Sequence, residues 1–289
     1  MKFVRYMDNE GTRLGILSRD DTRVLDIAGI VGTHDTMISL IETWTEAMLQ
    51  DLRVALDAPD ADWKHLSAVQ LLAPISRPIH DILCVGVNYL DHRAETSNDF
   101  AIDASTVYFS KRANIILGPG ERIPARFDLD EQLDYEVELA VIIGKGGRDI
   151  PKENVEAHIF GYSVFNDLSS RVLQKAHSQW FRGKSLDGYA AMGPCVLRRE
   201  ALPFPVEADV RSLVNGEPRQ SSNTRLMVAD IPSIVSELSR GMTLEPGDII
   251  ATGTPAGVGI GFTPPRFLAR WDTVTLVIPQ IGTLENTVG

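Results

Sequence analysis

The sequence predicts a β-rich α+β fold, a sandwich or roll, preceded by a small N-terminal α/β domain. Three observations carry this expectation. From about Ile79 onward, short runs rich in Val and Ile recur: DILCVGVNY, STVYFSK, YEVELAVIIG, HIFGYSVFND, CVLRR, VEADVRSLVNG, DIIATGT and DTVTLVIP. In the same stretch only KENVEAH and IPSIVSELSRGMTL read as helical, the second closed by Pro246-Gly247. Many strands with few helices favour packed or rolled sheets over a doubly wound α/β sheet, in which the two alternate. The first part of the chain has its own pattern, and a proline-bearing stretch separates it from the rest.

That first part begins with KFVRYM, the turn DNEG, RLGILS, the turn RDD and TRVLDIAG. Alternating apolar and polar residues between Asn/Asp/Gly turns describe a meander. Next, MISLIETWTEAMLQDLRVALDA places Ile38, Ile41, Trp44, Met48, Leu49 and Leu52 at helical spacing, with Pro59 as a stop. The stretch LLAPISRPIH, with Pro74 and Pro78, reads as a linker. The predicted organisation is a small domain over residues 1–72 and a main domain over 73–289.

Composition narrows the function. Of 289 residues, 44% are hydrophobic and 23% charged, ordinary values for a chain that buries a core. A formal net charge of −11, from 39 acidic and 28 basic residues, lacks the basic excess of a nucleic-acid binder and disfavours anionic membranes. Cys84 and Cys195 both sit in apolar runs and read as buried, reduced thiols. The N-terminal segment has no long apolar stretch, and no window approaches 18 uncharged apolar residues. A cytoplasmic location is the default expectation.

The segment LDYEVELAVIIG is the most informative. Residues two apart in a strand share a face, about 6.5–7 Å apart at Cα. Asp134, Glu136 and Glu138 therefore lie on one face and Tyr135, Val137 and Leu139 on the other. An acidic pair leading into a buried strand is costly unless a cation neutralises it. Taken alone, the segment also fits a solvated edge with ordinary surface glutamates. A second strand, GYSVFND, ends at Asp167, where a carboxylate can reach a cleft. Three carboxylates with no nearby His or Cys make an all-oxygen site suited to Mg²⁺, Mn²⁺ or Ca²⁺ and not to zinc.

With these residues in place the chain resembles the fumarylacetoacetate hydrolase superfamily. The motifs are VGVNYLDHRAE (85–95), FSK followed by GPG (109–120), DYEVEL (134–139), FNDLSSRVLQ (165–174), WFRGKSLDG (180–188) and GDIIATGTPAGVG (247–259). The resemblance spans residues 75–289. It implies a mixed β-sandwich roll, Glu136, Glu138 and Asp167 as metal ligands, and a homodimer. Two departures stand out: Arg171-Val172 where the family usually has Arg-Asp, and Trp271-Asp272 where Gly-Asp is more common.

His92 and Glu95 are three apart in NYLDHRAE, a spacing that stacks them on one helical face. A Glu beside a His orients the ring and favours the imidazolium, as general acid–base work requires. Such a pair is also common on solvated helices, and it is the resemblance that makes it a water-activating dyad on a lid. The polar stretch 96–105 is expected to belong to that lid. By resemblance Lys184 points into the site to stabilise an enolate or alkoxide. Arg171, Gln174 and Thr254 match substrate-binding positions, Arg171 through its planar fork and Thr254 through its hydroxyl. The remaining histidines have no evident partners, and only His177, close after Gln174, is placed to border the site.

The glycine-rich TGTPAGVG lacks the Gly-Lys-Ser/Thr ending of a nucleotide loop, and no G-x-S-x-G elbow is present. The implied activity is divalent-metal-dependent cleavage of a C–C bond in a 2,4-dioxo acid through a metal-stabilised enolate. Oxaloacetate-type decarboxylation and tautomerisation use the same site. A non-catalytic ligand-binding protein is the alternative of another class.

Overall fold

The computed structural model describes residues 1–58, 61–96 and 106–289. Pro59 and the segment 97–105 of the expected lid lie outside the described residues. The architecture is a strand-rich α/β fold built on two mixed sheets.

The larger sheet has eleven strands. From one edge they run Trp63–His65, Arg23–Asp26, Gly11–Leu17, Lys2–Asp8, Ala190–Arg198, Ile159–Asp167, Val137–Ile143, Ile249–Ala251, Ile82–Gly86 and Val107–Lys111, with Gln70–Leu72 added on Lys2–Asp8. Among the described residues only Ile249–Ala251 with Ile82–Gly86 is parallel within it. The smaller sheet runs Glu217–Asn223, Asp209–Val214, Thr273–Ile278, Gly282–Val288 and Arg122–Ile123. Both sheets are thus sandwich or roll components, as the run of short strands predicts.

The alternation along Val137–Ile143 explains how the layers meet. Val137, Leu139, Val141 and Ile143 enter the core shared with the smaller sheet, through Val210, Leu276 and Leu284. Ala140 and Ile142 enter a second core on the opposite face, with Phe3, Ile16, Leu40, Phe160 and Ile249. The strand is buried on both faces, which is why it reads as an almost continuous apolar run.

The N-terminal part shares this second core. Its first strand pairs with Ala190–Arg198, so the sheet continues across the expected boundary at residue 72. The single helix expected over 37–58 is two, Met37–Glu42 and Glu46–Leu56. The break has a local cause: Thr45 takes an extended conformation and its hydroxyl accepts from Met48 N, capping the second helix. The turn lets Trp44 pack edge-on against Phe3 and Phe160, at centroid distances of 5.4 and 5.3 Å. Arg198 lies 4.6 Å over the Phe160 ring. Trp271, where the family favours glycine, has φ 74° in the left-handed region and carries Arg122 at 5.0 Å from its ring.

Because Phe160 is buried where the N-terminal and main parts meet, Phe160→Ala should destabilise both together. The expected loss is about 3–5 kcal/mol, read as a lower urea midpoint with one transition shared by far-UV and tryptophan signals. Separate transitions in the wild type would show that the two parts fold independently.

Candidate active site

The three carboxylates are set by strand register. Val137–Ile143 pairs antiparallel with Ile159–Asp167, matching Val137 with Asn166 and Glu138 with Phe165, so Asp167 comes opposite Glu136. The Asp167 N–H donates to the Glu136 carbonyl at 3.1 Å, fixing that end of the ladder. Glu136, Glu138 and Asp167 are 4%, 2% and 0% exposed, and one oxygen from each lies within 4.8 Å of the others.

Charge this concentrated must be compensated. Lys184, at the end of the short helix Phe181–Lys184, donates to Glu136 Oε2 at 2.8 Å and Asp167 Oδ2 at 2.7 Å. Lys111 donates to Asp167 Oδ1 at 2.5 Å and to the Leu168 carbonyl at 2.8 Å. Arg171 lies 2.7 Å from Glu136 Oε1, donates to Asp134 Oδ2 at 2.9 Å, and donates to Gln174 Oε1 at 2.9 Å. Asp134 also accepts from Gly259 N and Ile260 N, so it anchors a turn and stands outside the trio.

The three carboxylates are not equivalent. Burial pushes Glu136 up, but Lys184 and Arg171 outweigh it and carry the carboxyl down to about 2. Glu138 receives the Gly253 N–H at 2.8 Å. Burial, then the charges of Asp167 and Glu136, push it well above the ordinary range. For Lys184 burial lowers the pKa, yet Asp167 and Glu136 raise it overall. Lys111 ends below its ordinary value because burial dominates. Three buried cations thus pair with Asp134, Glu136 and Asp167, and Glu138 has no cation of its own, which is why its carboxyl holds its proton more tightly. A hard divalent cation fits this donor set, with Glu138 the carboxylate that stands to gain most from it.

His92 and Glu95 lie on the helix Leu90–Thr96. His92 Nδ1 donates to Glu95 Oε1 at 2.8 Å, and Glu95 also accepts from Gly257 N at 3.0 Å. A Cβ at Gly261 would collide with the Glu95 carboxylate, so the glycine-rich turn lets the lid helix approach closely. His92, Glu136, Glu138, Arg171, Gln174, Lys184 and Thr254 line one pocket, walled by Phe109 and Trp180. Its free volume is about 20 Å³, room for about one or two waters.

The structure thus brings together all nine residues expected at the site, with Asp167 behind Lys184 and Glu95 behind His92. The Thr254 hydroxyl expected to meet a carboxylate donates instead to the Val137 carbonyl at 2.9 Å. His177 is exposed and does not line the pocket. Val172, in place of the usual Asp, has its side chain 38% exposed. Lys111 escaped sequence reasoning, although a lysine closing the strand VYFSK was the available signal.

The match to known proteins agrees with this geometry. The fumarylacetoacetate (FAA) hydrolase C-terminal family model matches residues 81–289. The chain belongs to that family. It is 46% identical over 224 residues to the oxaloacetate tautomerase YisK of Bacillus subtilis, covering 78% of this chain and 74% of the relative. A fumarylacetoacetate hydrolase from Exiguobacterium antarcticum superposes with TM-score 0.84 at 41% identity, covering 100% of this chain and 99% of that one. Maleylpyruvate hydrolase from Sphingobium, solved with manganese and pyruvate, gives TM-score 0.77 at 30% identity, covering 100% and 98%.

The Glu138 environment yields a pH prediction. Its folded pKa lies above the ordinary value of 4.5, so above that pH the metal-free folded state holds a proton that the unfolded chain has lost. Stability contributed by this group falls as pH rises. Glu138→Gln should flatten that slope in metal-free urea titrations, and the wild type should bind Mn²⁺ more tightly as pH rises. Identical slopes for wild type and variant would refute the assignment.

Proposed function

We propose that this protein is a divalent-metal-dependent enzyme that interconverts the keto and enol forms of a short 2-oxo acid of the oxaloacetate type. The observation that carries this reading is the His92–Glu95 pair, an oriented acid–base group facing a buried carboxylate trio across one small pocket. The lack of a cationic partner at Glu138 supports it too, since a divalent cation would take the place of the carboxyl proton. The likeness to a named oxaloacetate tautomerase points the same way.

Glu136, Glu138 and Asp167 would hold Mg²⁺ or Mn²⁺, with Ca²⁺ as a substitute. When bound, the cation supplies Lewis acidity that polarises the 2-oxo group. His92, oriented by Glu95, takes a proton from C3; the C–H electron pair becomes the C2=C3 double bond and the carbonyl π pair moves to oxygen. Lys184 offsets the charge developing on that oxygen, which then takes the proton carried by His92 to give the enol and return His92 to its neutral form. Closure of the Leu90–Thr96 helix excludes bulk water from these steps. Arg171 and Gln174 shape the pocket wall, with the Arg171 fork held by Asp134 and Glu136.

A second reading, hydrolysis of a C–C bond in a 2,4-dioxo acid, draws on the same dyad, which would then activate water. The maleylpyruvate hydrolase likeness favours it. The likeness to the oxaloacetate tautomerase favours the first reading. Decarboxylation of oxaloacetate would need no attacking water and less of the dyad.

The test follows oxaloacetate enol absorbance with Mg²⁺ or Mn²⁺, alongside acylpyruvate and fumarylpyruvate cleavage and pyruvate release. Interconversion should disappear with EDTA and fall by about 10²–10⁴-fold in His92→Ala. Full activity after complete metal removal would rule out the metal-dependent reading. Cleavage of acylpyruvates much faster than tautomerisation would make hydrolysis the function.

A further inference from the structure

We propose that Tyr135 is a positioning residue for the acid–base pair, acting on His92 through Gly257 and Glu95. Glu95 orients His92 through its Oε1, 2.8 Å from Nδ1. The Glu95 carboxylate is itself held by the Gly257 N–H, at 3.0 Å to Oε2 and 3.2 Å to Oε1. Whatever aims that N–H therefore also aims the base.

Gly257 cannot aim it unaided. Its φ is 103°, and a Cβ there would collide with the Arg219 carbonyl oxygen, so only glycine fits. Glycine also has the most backbone freedom to lose, and its conformation has to be fixed from outside. The Tyr135 hydroxyl does this by donating to the Gly257 carbonyl at 3.0 Å. A carbonyl can only accept, so chemistry settles the direction of this bond. Tyr135 is fully buried. Burial, then the charge of Asp134, push its phenol up, which keeps the donated proton in place. Further along the turn, Asp134 accepts from Gly259 N at 2.6 Å and from Ile260 N at 3.0 Å. Asp134 and Tyr135 thus pin the glycine-rich turn at both kinds of backbone group.

Tyr135 immediately precedes Glu136. The segment that carries one carboxylate of the trio therefore also sets the turn on which Glu95 rests. One phenol registers the two halves of the site to each other. Phenylalanine at this position would keep the packing and lose the link. The inference rests on the reading of His92 and Glu95 as the acid–base pair, and its test separates the two.

The experiment is a double-mutant cycle on oxaloacetate keto–enol interconversion by Mn²⁺-loaded protein. It compares wild type, Tyr135→Phe, Glu95→Ala and the double variant. Tyr135→Phe should lower kcat by about tenfold, the worth of one hydrogen bond, with Mn²⁺ affinity unchanged. In the Glu95→Ala background the same substitution should change kcat by less than about twofold, because the path from Tyr135 to His92 is already cut. Tyr135→Met gives the same readout if the phenylalanine does not fold. An equal fall in both backgrounds, or a fall accompanied by weaker Mn²⁺ binding, would make Tyr135 merely structural and overturn the proposal. So would an unchanged kcat in Tyr135→Phe. Full activity of Glu95→Ala would overturn the acid–base reading, and this proposal with it. If acylpyruvate cleavage is the reaction found, the same cycle is read on that reaction, because the dyad serves both.

Discussion

The rest of this molecule is arranged around the burial of three carboxylates on two neighbouring strands. Glu136, Glu138 and Asp167 have almost no contact with solvent, and no apolar core tolerates them without compensation. The short helix ending in Lys184, the lysine at the end of Val107–Lys111 and the guanidinium of Arg171 supply it from three separate parts of the chain. Glu138 alone is met by a backbone N–H instead of a cation. The uneven distribution leaves Glu138 as the carboxylate of the trio without a cationic partner, in a cluster that could hold a divalent metal.

What could be seen in the sequence beforehand follows from the range over which each force acts. The face shared by Glu136 and Glu138 is a two-residue property of one strand, so spacing alone exposes it. The His92–Glu95 pair is likewise a property of one helical turn. The two-helix break at Thr45 is local in cause but was masked by apolar spacing that runs on through Trp44. The ties of Lys111 to Asp167 and of Gln220 to Thr254 span 56 and 34 residues. They exist only because particular strands become neighbours, and no periodicity announces that. The small domain of the first 72 residues was legible as strands and helix, whereas its place in the main sheet depends on a pairing made some 190 residues later in sequence.

The site also shows how one family can serve several reactions. Proton transfer, attack by water and loss of carbon dioxide all place negative charge on the same substrate oxygen. The charged groups around the trio respond to that charge and are indifferent to the bond that produced it. Discrimination must come from neutral groups with a fixed polarity, from the space left when the Leu90–Thr96 helix is seated, and from how firmly that helix is held. Glu95 takes part in the last of these, since its carboxylate bridges His92 and the backbone of Gly257. The docked helix therefore holds the carboxylate that orients His92.

The strand Lys2–Asp8 has a consequence for biosynthesis. It is held on one edge by its hairpin partner and on the other by Gln70–Leu72 along Arg5–Met7 and by Ala190–Arg198 at Lys2 and Phe3. A growing chain can make the first two contacts early, but the one at Lys2 and Phe3 must wait until Ala190–Arg198 has left the ribosome. Until then the apolar face bearing Phe3 has no Phe160 or Val196 to cover it. Long-range pairing of this kind slows folding and exposes nascent edges, so the step most sensitive to chaperones is expected at the seam between the two halves of the large sheet, far from the catalytic pocket.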